Sequence, residues 1–405
     1  MISHIREYDR PGFYLFSGPV KSNKSETLIE LVNNYKGSKK NLDDWLLVVK
    51  HPKDDKDSRH RISSFKRTSI DAIECKYADE IANEIKDETK FVVISGIHLY
   101  DKNIVSLCDS LKENGRIIIA SGINLKFNGT NYGSIGELMA IADDCKIMPA
   151  ICNYDSCNKN AYRTQRIIEN NKERFEPRCI IHHNPEGRPD FKSFLIGQEP
   201  SLESILGPMF SGKTNLYSSK YKQFKHINKE QVISFKWKRD NRYSNKMVIS
   251  HDEYNIPSTE IKEADEILNY LDGNEKIKIV MIDEAQFIPS GIGKVIRKLL
   301  YKGYKVVITG LGKTFQKEPF GDIPKILPLS TEIIYKRASC IECGLPAEES
   351  QRLIRKNGII QPASFDDKIV VVGGKDLYKA VCRLHHEIKG APPNRYSGRF
   401  NKIKI

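Results

Sequence analysis

Short apolar runs alternate with polar, helix-like stretches along most of this chain. Two such runs, at 277–282 and 306–309, flank a segment with helical periodicity at 291–300. Continuous apolar runs of this length between helices are typical of strands that are buried on both faces of a parallel sheet. The pattern therefore predicts an α/β fold.

The first half of the chain repeats the pattern of the second half. VVISGIHLY at 92–100 matches IVMIDEAQF at 279–287, and the segment at 116–133 matches that at 305–321. Three landmark pairs are each separated by 188 positions: Ser95 and Asp283, Gly122 and Gly310, and Cys152 and Cys340. A constant spacing over a whole domain indicates a tandem duplication rather than a solenoid.

The joint between the repeats lies in a stretch rich in proline, glycine and polar residues at 182–201. We predict a first domain at 1–190, a linker at 191–202 and a second domain at 203–390. A smaller subdomain is expected at about 338–390. A basic tail at 391–405 would follow.

The composition is that of a folded globular protein, with 39% hydrophobic and 29% charged residues among 405. No apolar run is long enough to span a membrane, and the first residues lack the apolar core of a signal peptide. We therefore expect a cytoplasmic protein with reduced cysteines. The net charge of +13 could indicate a nucleic-acid partner, but the lysines are dispersed, which favours solvated surfaces instead.

The stretch GPMFSGKT fits the phosphate-loop pattern and stands between an apolar strand and a polar helix. Its backbone N–H groups would surround the phosphates of a nucleotide, while Lys213 would reach the β- and γ-phosphates and Thr214 would coordinate Mg²⁺. The residues of the loop are Gly207, Pro208, Met209, Phe210, Ser211, Gly212, Lys213 and Thr214.

Two adjacent acids follow the apolar run at 279–282. Asp283 stands where a Mg²⁺-linked carboxylate usually lies, at the end of a buried strand. Glu284 would point elsewhere and could accept a proton from an attacking hydroxyl. The alternative is a solvated acidic pair at a strand end.

The cysteines of the second repeat form CIEC at 340–343 and the start of CRLHH at 382–386. A CxxC pair followed by CxxH has the spacing of a closed, structural zinc site. The predicted ligands are Cys340, Cys343, Cys382 and His385, with His386 as the fallback for the histidine. The alternative is a set of reduced cysteines without a metal.

In this order, the motifs make the second repeat resemble a type II (cellular-type) thymidine kinase. The matching stretches are GPMFSGKT, KWKRDNRY with VISHDE, DEAQF, GLGKTFQKEPFG, CIECG and VVVGGKDLYKAVCRLH. The resemblance implies transfer of a phosphoryl group from ATP, with Mg²⁺, to the 5′-hydroxyl of thymidine and of deoxyuridine in deoxynucleotide salvage. It also implies an α/β core, a zinc subdomain with a lasso loop, and often a homotetramer.

The resemblance also assigns roles to single residues. Glu284 would be the general base, with Lys213 and Arg242 also taking part in catalysis. The ATP site would include Asp240, Arg242, Asp283 and Gln286 besides the phosphate loop. The nucleoside pocket would be formed by Met209, Leu311, Phe315, Phe320, Ile369, Val371, Gly373 and Tyr378. Gly312 stands where the family has an acidic residue.

The first repeat lacks the acids of the second. Ser95 and Gly96 occupy the positions of Asp283 and Glu284, and Asn23 occupies that of a loop glycine. We therefore predict a pseudokinase that retains a phosphate-loop lysine, Lys24, and has largely lost the lasso. Its metal-ligand candidates are Cys152, Cys157, Cys179 and His182, which could bind a metal or none.

A duplicated fold from an oligomeric family could pack against its sibling, so we expect a homo-oligomer or a pseudo-oligomer built from both repeats. The alternative function is a catalytically silent nucleotide-binding regulatory or scaffold protein. The retained Lys213, Thr214, Asp283 and Glu284 favour the kinase.

Overall fold

Two parallel six-stranded sheets, one in each half of the chain, make up most of the computed structural model. It describes residues 8, 10–38, 45–54, 60–64, 67–186, 188, 199–227, 231–238, 247–249, 255–289, 291–371, 373–374 and 376–403. The chain divides into two compact units, Met1–Glu186 with Pro393–Ile405, and Gly187–Pro392. The last residues of the chain thus lie with the first unit.

The first unit alternates strands and helices along the sequence. Its elements are β1 Gly12–Gly18, α1 Lys24–Ser38, β2 Leu46–Lys50, β3 Arg61–Ser63, β4 Ser69–Asp71, β5 Ile73–Glu74, α2 Ala78–Glu84, β6 Phe91–Ser95, α3 Asn103–Glu113, β7 Ile117–Ile123, α4 Ile135–Ile141, β8 Asp144–Ile147, β9 Ala150–Ile151, β10 Asn160–Ala161, β11 Arg163–Glu169 and β12 Lys172–Arg178.

The second unit has the same succession. Its elements are β13 Ser201–Leu206, α5 Lys213–Ile227, β14 Val232–Trp237, β15 Met247–Ile249, β16 Asn255–Pro257, β17 Thr259–Ile261, α6 Glu266–Leu271, β18 Ile279–Ile282, α7 Ile292–Tyr301, β19 Lys305–Gly310, α8 Ile323–Ile326, β20 Glu332–Tyr335, β21 Ala338–Ser339, β22 Pro346–Ala347, β23 Glu349–Lys356, β24 Ile359–Pro362 and β25 Tyr378–Val381.

The two main sheets have the same strand order. It is β5-β2-β6-β7-β1-β8 in the first unit and β17-β14-β18-β19-β13-β20 in the second, and every pair is parallel. The central strands are buried along their whole length, as their unbroken apolar runs require. The structure thus confirms the α/β fold with two parallel-sheet repeats.

Helices cover these sheets with one apolar face. In α7, residues Ile292, Val295, Ile296 and Leu299 are buried, which is the i, i+3, i+4, i+7 spacing of one helix face. Among the described residues, no helix is both long and apolar enough to cross a membrane.

Each unit ends in a small antiparallel subdomain. In the first unit, β11 and β12 form a hairpin whose turn residues Asn170 and Asn171 have positive φ values of 49° and 59°. In the second unit, β23 pairs with β24 through an Asn357–Gly358 turn and then with β25. The lasso expected from the resemblance would lie between β24 and β25, whereas β11 and β12 of the first unit are joined by a short turn.

One close approach recurs in both units. Gly321 has a φ of 55°, and a Cβ there would lie 2.6 Å from the carbonyl oxygen of Gln286. Gly133, at the equivalent position, has the same φ, and a Cβ there would meet the carbonyl of His98. The loop after β7 therefore packs against the turn after β6, and the loop after β19 packs against the turn after β18.

We predict that Gly321→Ala lowers the free energy of unfolding of the second unit by about 3 kcal/mol, from backbone strain and the collision together. Gly273→Ala is the control, because Gly273 has a φ of 81° but no atom within 4 Å of an added Cβ. It should lose only about 1 kcal/mol. If urea unfolding shows the same loss of unfolding free energy for both variants, the collision at position 321 adds nothing to the loss.

Candidate functional site

The candidate site of the second unit lies where three neighbouring strands end. β13, β19 and β18 are adjacent, and Leu206 pairs with Gly310 while Ile282 pairs with Ile308. Parallel strands place their carboxyl ends at one edge of a sheet. The phosphate loop after β13 and the acidic pair after β18 therefore lie at the same edge, with the end of β19 between them.

The phosphate loop is folded around the start of α5. Gly212 has a φ of 76°, and α5 begins at Lys213. The buried Lys213 Nζ donates to the carbonyl oxygen of Pro208 at 2.7 Å, and the buried Ser211 Oγ has no hydrogen-bond partner within the described residues. Orphan N–H groups and a lysine at a helix N-terminus attract phosphate oxygens. The loop thus has the donors that a nucleotide needs.

The remaining loop residues turn toward other elements. The Met209 N–H donates to Ser350 Oγ on β23 at 3.0 Å. Phe210, with a φ of 65°, is exposed, and Thr214 is half-buried in the first turn of α5. Met209 therefore links the loop to the small subdomain.

Asp283 is held by the strand between it and the loop. The carboxylate is buried, and Oδ1 accepts a hydrogen bond of 2.5 Å from Thr309 Oγ1 on β19. Burial and the negative charge of Asp283 raise the pKa of Tyr217 on α5, which places Asp283 within electrostatic reach of that helix. A carboxylate is the kind of oxygen donor that Mg²⁺ prefers.

Glu284 has a left-handed backbone, with a φ of 50°, which turns its side chain away from Asp283. Its N–H donates to Thr309 Oγ1 at 3.0 Å, and its Oε2 accepts a hydrogen bond of 2.5 Å from Gln286 Nε2. Gln286 Oε1 in turn accepts the N–H of Leu311 at 3.1 Å. The carboxylate is thus oriented by an amide that is itself fixed.

Sequence reasoning missed Thr309 and placed Gln286 with the ATP site. Thr309 is a polar residue at the end of the apolar run KVVITG, and Ser121 occupies the same place in the first repeat. A hydroxyl inside a buried strand needs a partner, and this was the available signal.

The expected nucleoside residues gather around the loop after β19 and the lasso. Leu311, Phe315, Phe320 and Tyr378 are buried. Phe315, Phe320 and Tyr378 are aromatic, and aromatic rings can stack on a planar base.

The lasso is tied to the small subdomain by a hydrogen bond. Tyr378 Oη donates to the carbonyl oxygen of Val371 at 2.9 Å, and Ile369 is exposed on the same loop. Gly373 allows the close approach of Leu377. Asp240 and Arg242 lie outside the described residues.

The four predicted zinc ligands of the second unit lie together. Ligand atoms of Cys340, Cys343, Cys382 and His385 all lie within 4.8 Å of one another. His385 Nδ1 is 3.6 Å from Cys340 Sγ and 3.3 Å from Cys382 Sγ, and the sulfurs of Cys343 and Cys382 are 3.8 Å apart. Tetrahedral zinc places two sulfurs about 3.8 Å apart and a sulfur and a nitrogen about 3.6 Å apart. The group therefore fits zinc.

The thiols of this group differ in pKa, and burial raises the pKa of the Cys382 thiol to about 11. Burial opposes ionisation of Cys340, but backbone N–H groups of Cys382, Glu342 and Cys343 lower the pKa of its thiol to about 6. A thiolate is the form that binds zinc. The fallback residue, His386, lies outside the group, and burial lowers its pKa to about 4.

The first unit contains a second group of the same kind. Ligand atoms of Cys152, Cys157, Cys179 and His182 lie within 4.8 Å of one another despite their altered spacing. His182 Nδ1 is 3.6 Å from Cys152 Sγ and 3.4 Å from Cys179 Sγ, and Tyr154 stacks on the imidazole at 4.2 Å. The distances again fit tetrahedral zinc.

The phosphate loop of the first unit keeps its backbone shape. Asn23 has a φ of 60°, close to that of Gly212, and Lys24 Nζ donates to Pro19 O at 2.5 Å as Lys213 does to Pro208. Burial lowers the pKa of Lys24 to about 8, although the nearby Asp54 carboxylate opposes the shift. A cavity of about 370 Å³ lies over this loop and is lined by Lys50 and Arg61 as well.

The turn after β6 in the first unit has no acidic pair, but its backbone has the same left-handed conformation as the turn after β18. Gly96 has a φ of 70°, and His98 Nδ1 accepts the N–H of Ile123 at 3.2 Å, as Gln286 does from Leu311. Ser95 Oγ donates to Asp54 Oδ2 at 2.5 Å, and a Cβ on Gly96 would lie 2.7 Å from Asp54 Cγ. Asp54 thus fills the space beside the turn.

The family comparison agrees with the two-repeat architecture. A family model described as thymidine kinase matches the chain twice, over residues 12–176 and 200–386. The two matches cover most of the chain and coincide with the two parallel-sheet repeats, which confirms the tandem duplication predicted from the landmark spacing. The chain therefore belongs to the thymidine kinase family, and it carries the domain of that family twice.

Proposed function

We propose that the second repeat phosphorylates the 5′-hydroxyl of thymidine, and of deoxyuridine, with ATP as the phosphoryl donor, and that the first repeat is not catalytic. One observation carries this proposal. In the second repeat, Asp283 and Glu284 are held at the sheet edge that bears a phosphate loop. The first repeat has Ser95 and Gly96 at those positions.

The phosphate loop would bind the triphosphate of ATP through backbone N–H groups and Lys213. The Thr214 hydroxyl and the Asp283 carboxylate are the oxygen donors that would hold Mg²⁺, which, when bound, neutralises charge on the β- and γ-phosphates. Arg242, from the segment outside the described residues, would add positive charge in the same role. Lys213 would leave its contact with Pro208 to reach the phosphates.

Glu284 would accept the proton of the attacking 5′-hydroxyl. Gln286 holds one carboxylate oxygen, so the other is left to face the nucleoside in a fixed direction. Such positioning is the main contribution of a general base besides its pKa. The Thr309 hydroxyl holds both acidic residues, because it donates to the Asp283 carboxylate and accepts from the backbone N–H of Glu284.

The nucleoside would bind between the loop after β19 and the lasso. Phe315 is buried beneath the guanidinium of Arg352, which lies 5.3 Å from the ring centre, and Arg352 donates to the carbonyl of Lys368 in the lasso. Tyr378 fixes the lasso at Val371. These contacts support a closed cover that excludes water from the thymine base.

We further propose that each Cys₃His group binds a structural zinc ion. Both groups have closed, all-protein ligand sets with no carboxylate. They would hold the small subdomains of the two repeats rather than take part in phosphoryl transfer.

We predict that Glu284→Gln lowers the rate of thymidine phosphorylation by about 10²–10⁴-fold, because the proton acceptor is lost. The affinity for ATP should stay near that of the unmodified chain. Labelled thymidine with Mg·ATP measures the rate, and equilibrium nucleotide binding measures the affinity. A near-normal rate for Glu284→Gln would show that Glu284 is not the general base.

Two controls show which repeat works. Glu263→Gln removes an exposed carboxylate of the second unit and should leave the rate unchanged. Lys24→Ala, in the first repeat, should also leave it unchanged, whereas Lys213→Ala should abolish it. A chain that binds ATP but forms no thymidine monophosphate would instead favour the regulatory or scaffold function.

We predict two zinc ions per purified chain, as measured by elemental analysis. Cys340→Ala and Cys152→Ala should each remove one ion, because three ligands hold zinc much less tightly than four. Cys108→Ala is the control, since this buried thiol belongs to neither group. Two ions retained in Cys152→Ala would show that the first group is not a metal site.

A further inference from the structure

The end of the chain lies with the first unit, although it follows the second unit in sequence. Residues 393–403, here called the strap, come after the second unit ends at Pro392 and contact the first unit along α2 and α3. The strap carries Arg395, Arg399 and Lys402, so it is basic. A terminal segment stays ordered only where specific contacts hold it.

The α2 helix holds the strap by one carboxylate and one amide. Arg395 contacts Asp79 through both ends of its guanidinium, at 3.2 Å and 2.7 Å, and Tyr396 Oη donates to the same carboxylate at 2.6 Å. These hydrogen bonds lower the pKa of Asp79 to about 2. Arg399 donates to Asn83, which lies one turn from Asp79 on the same helix face.

The α3 helix and the loop after it form hydrogen bonds with both the backbone and a side chain of the strap. Asn394 Nδ2 donates to the carbonyl oxygen of Ser106 at 3.1 Å, and Ser110 Oγ donates to that of Tyr396 at 3.4 Å. The N–H of Ile403 donates to the carbonyl oxygen of Asn114 at 3.0 Å. The strap is thus bound along its whole length.

Two aromatic side chains anchor the strap. Tyr396 is 1% exposed and Phe400 is 7% exposed, and their rings stack at 6.4 Å. The guanidinium of Arg116, a residue with no exposed surface, lies 5.3 Å from the Phe400 ring centre and donates to the carbonyl oxygen of Asn401 at 3.1 Å. A buried cation in this environment is stabilised by the ring face and the carbonyl.

Most of the side chains that bind the strap are specific to the first repeat, whereas Ser106 and Asn114 contribute backbone carbonyls that any residue would supply. At the equivalent positions, 188 residues later, the second repeat has different side chains. Asp79, Asn83, Ser106, Ser110, Asn114 and Arg116 correspond to Ile267, Leu271, Lys294, Lys298, Lys302 and Tyr304. Three of these are lysines, which would repel a basic segment.

The second repeat has a groove at the corresponding place. A cavity of about 150 Å³ there is lined by Leu271, Lys302, Gly303 and Tyr304, the counterparts of four residues at the strap site. The groove between the two helices is therefore a common feature of the domain. The acceptors that recognise arginine and tyrosine have been added in the first repeat.

We propose that the groove between α2 and α3 of the first repeat is a peptide-binding site whose ligand is the basic, aromatic C-terminal strap of the same chain. The first repeat thereby binds the segment that follows the second repeat in sequence. This role needs neither a nucleotide nor the activity proposed above, so each can fail without the other.

A peptide-binding experiment tests the proposal. The receptor is the chain ending at Pro392, and the ligand is a labelled peptide of residues 393–405, followed by fluorescence anisotropy. We expect saturable binding of one peptide per chain. Tyr396→Ala in the peptide should weaken it about 30-fold, as for a buried aromatic anchor. Asp79→Ala in the receptor should weaken it about tenfold, because a half-exposed charged hydrogen-bond acceptor is lost.

Three controls define the outcomes. Asp71→Ala removes an exposed carboxylate of the same unit, paired with Arg61, and should leave the affinity unchanged. The intact chain should bind the peptide about 100-fold more weakly, because its own strap competes at a high effective concentration. Equal binding of a scrambled peptide, or equal binding to the intact and truncated chains, would overturn the proposal.

A second measurement uses the intact chain, so it tests the proposal even if the truncated chain does not fold. In the intact chain, Asp79→Arg and Arg395→Asp should each speed hydrogen exchange of the α2 and α3 amides, and the double variant should restore protection. The reversed pair recreates the same contact, which a general loss of stability would not. Unchanged exchange in both single variants would show that the strap is not held at this groove.

Discussion

A hydrogen bond between two neighbouring strand ends underlies both repeats. In the second, Gln286 accepts the N–H of Leu311, and in the first, His98 accepts that of Ile123. Leaving a buried N–H unpaired would cost about 1–3 kcal/mol, so an acceptor is required at this position whether or not the site is active. The same bond fixes the left-handed turn that begins at Glu284 or Gly96. The frame of the active site is therefore a requirement of the fold.

The two acceptors differ in what else they do. The Gln286 amide accepts from Leu311 with its oxygen and donates to Glu284 with its nitrogen, so it joins the fold to the proposed base. Burial lowers the pKa of His98 to about 3, which keeps the imidazole neutral and Nδ1 able to accept. With Gly96 beside it there is no carboxylate to orient. An amide with both functions is needed only where the acid remains.

Much of this architecture could be predicted from the sequence, because it depends on patterns that recur. The apolar runs at 279–282 and 306–309 gave the buried strands, and the constant spacing from Ser95 to Asp283 gave the duplication. The contacts of Thr309 and Gln286 depend on which strands are neighbours, and a single sequence does not encode that order locally. The Cys152, Cys157, Cys179 and His182 group departs from common zinc spacing and became clear only through its geometry.

The strap was beyond sequence reasoning for a different reason. Its residues read as a basic tail, and lysine and arginine near a terminus usually remain in solvent. The side chains that bind it, above all the acceptor Asp79 and the donor Arg116, lie more than 270 positions earlier and carry no motif. Recognition of this kind depends on tertiary proximity alone.

The charges beside the first phosphate loop disfavour an acidic residue at the position of Gly96. Asp54 accepts from Ser95 and supports the charge of Lys24, so the loop carries its own counter-ion. A side chain at Gly96 would collide with Asp54, and a glutamate there would add a second negative charge to the same space. Restoring the acids would thus require the removal of Asp54 at the same time, which would leave the buried Lys24 without that support. The first repeat thus keeps the fold of the domain without the acidic pair, and its α2 and α3 bind the strap.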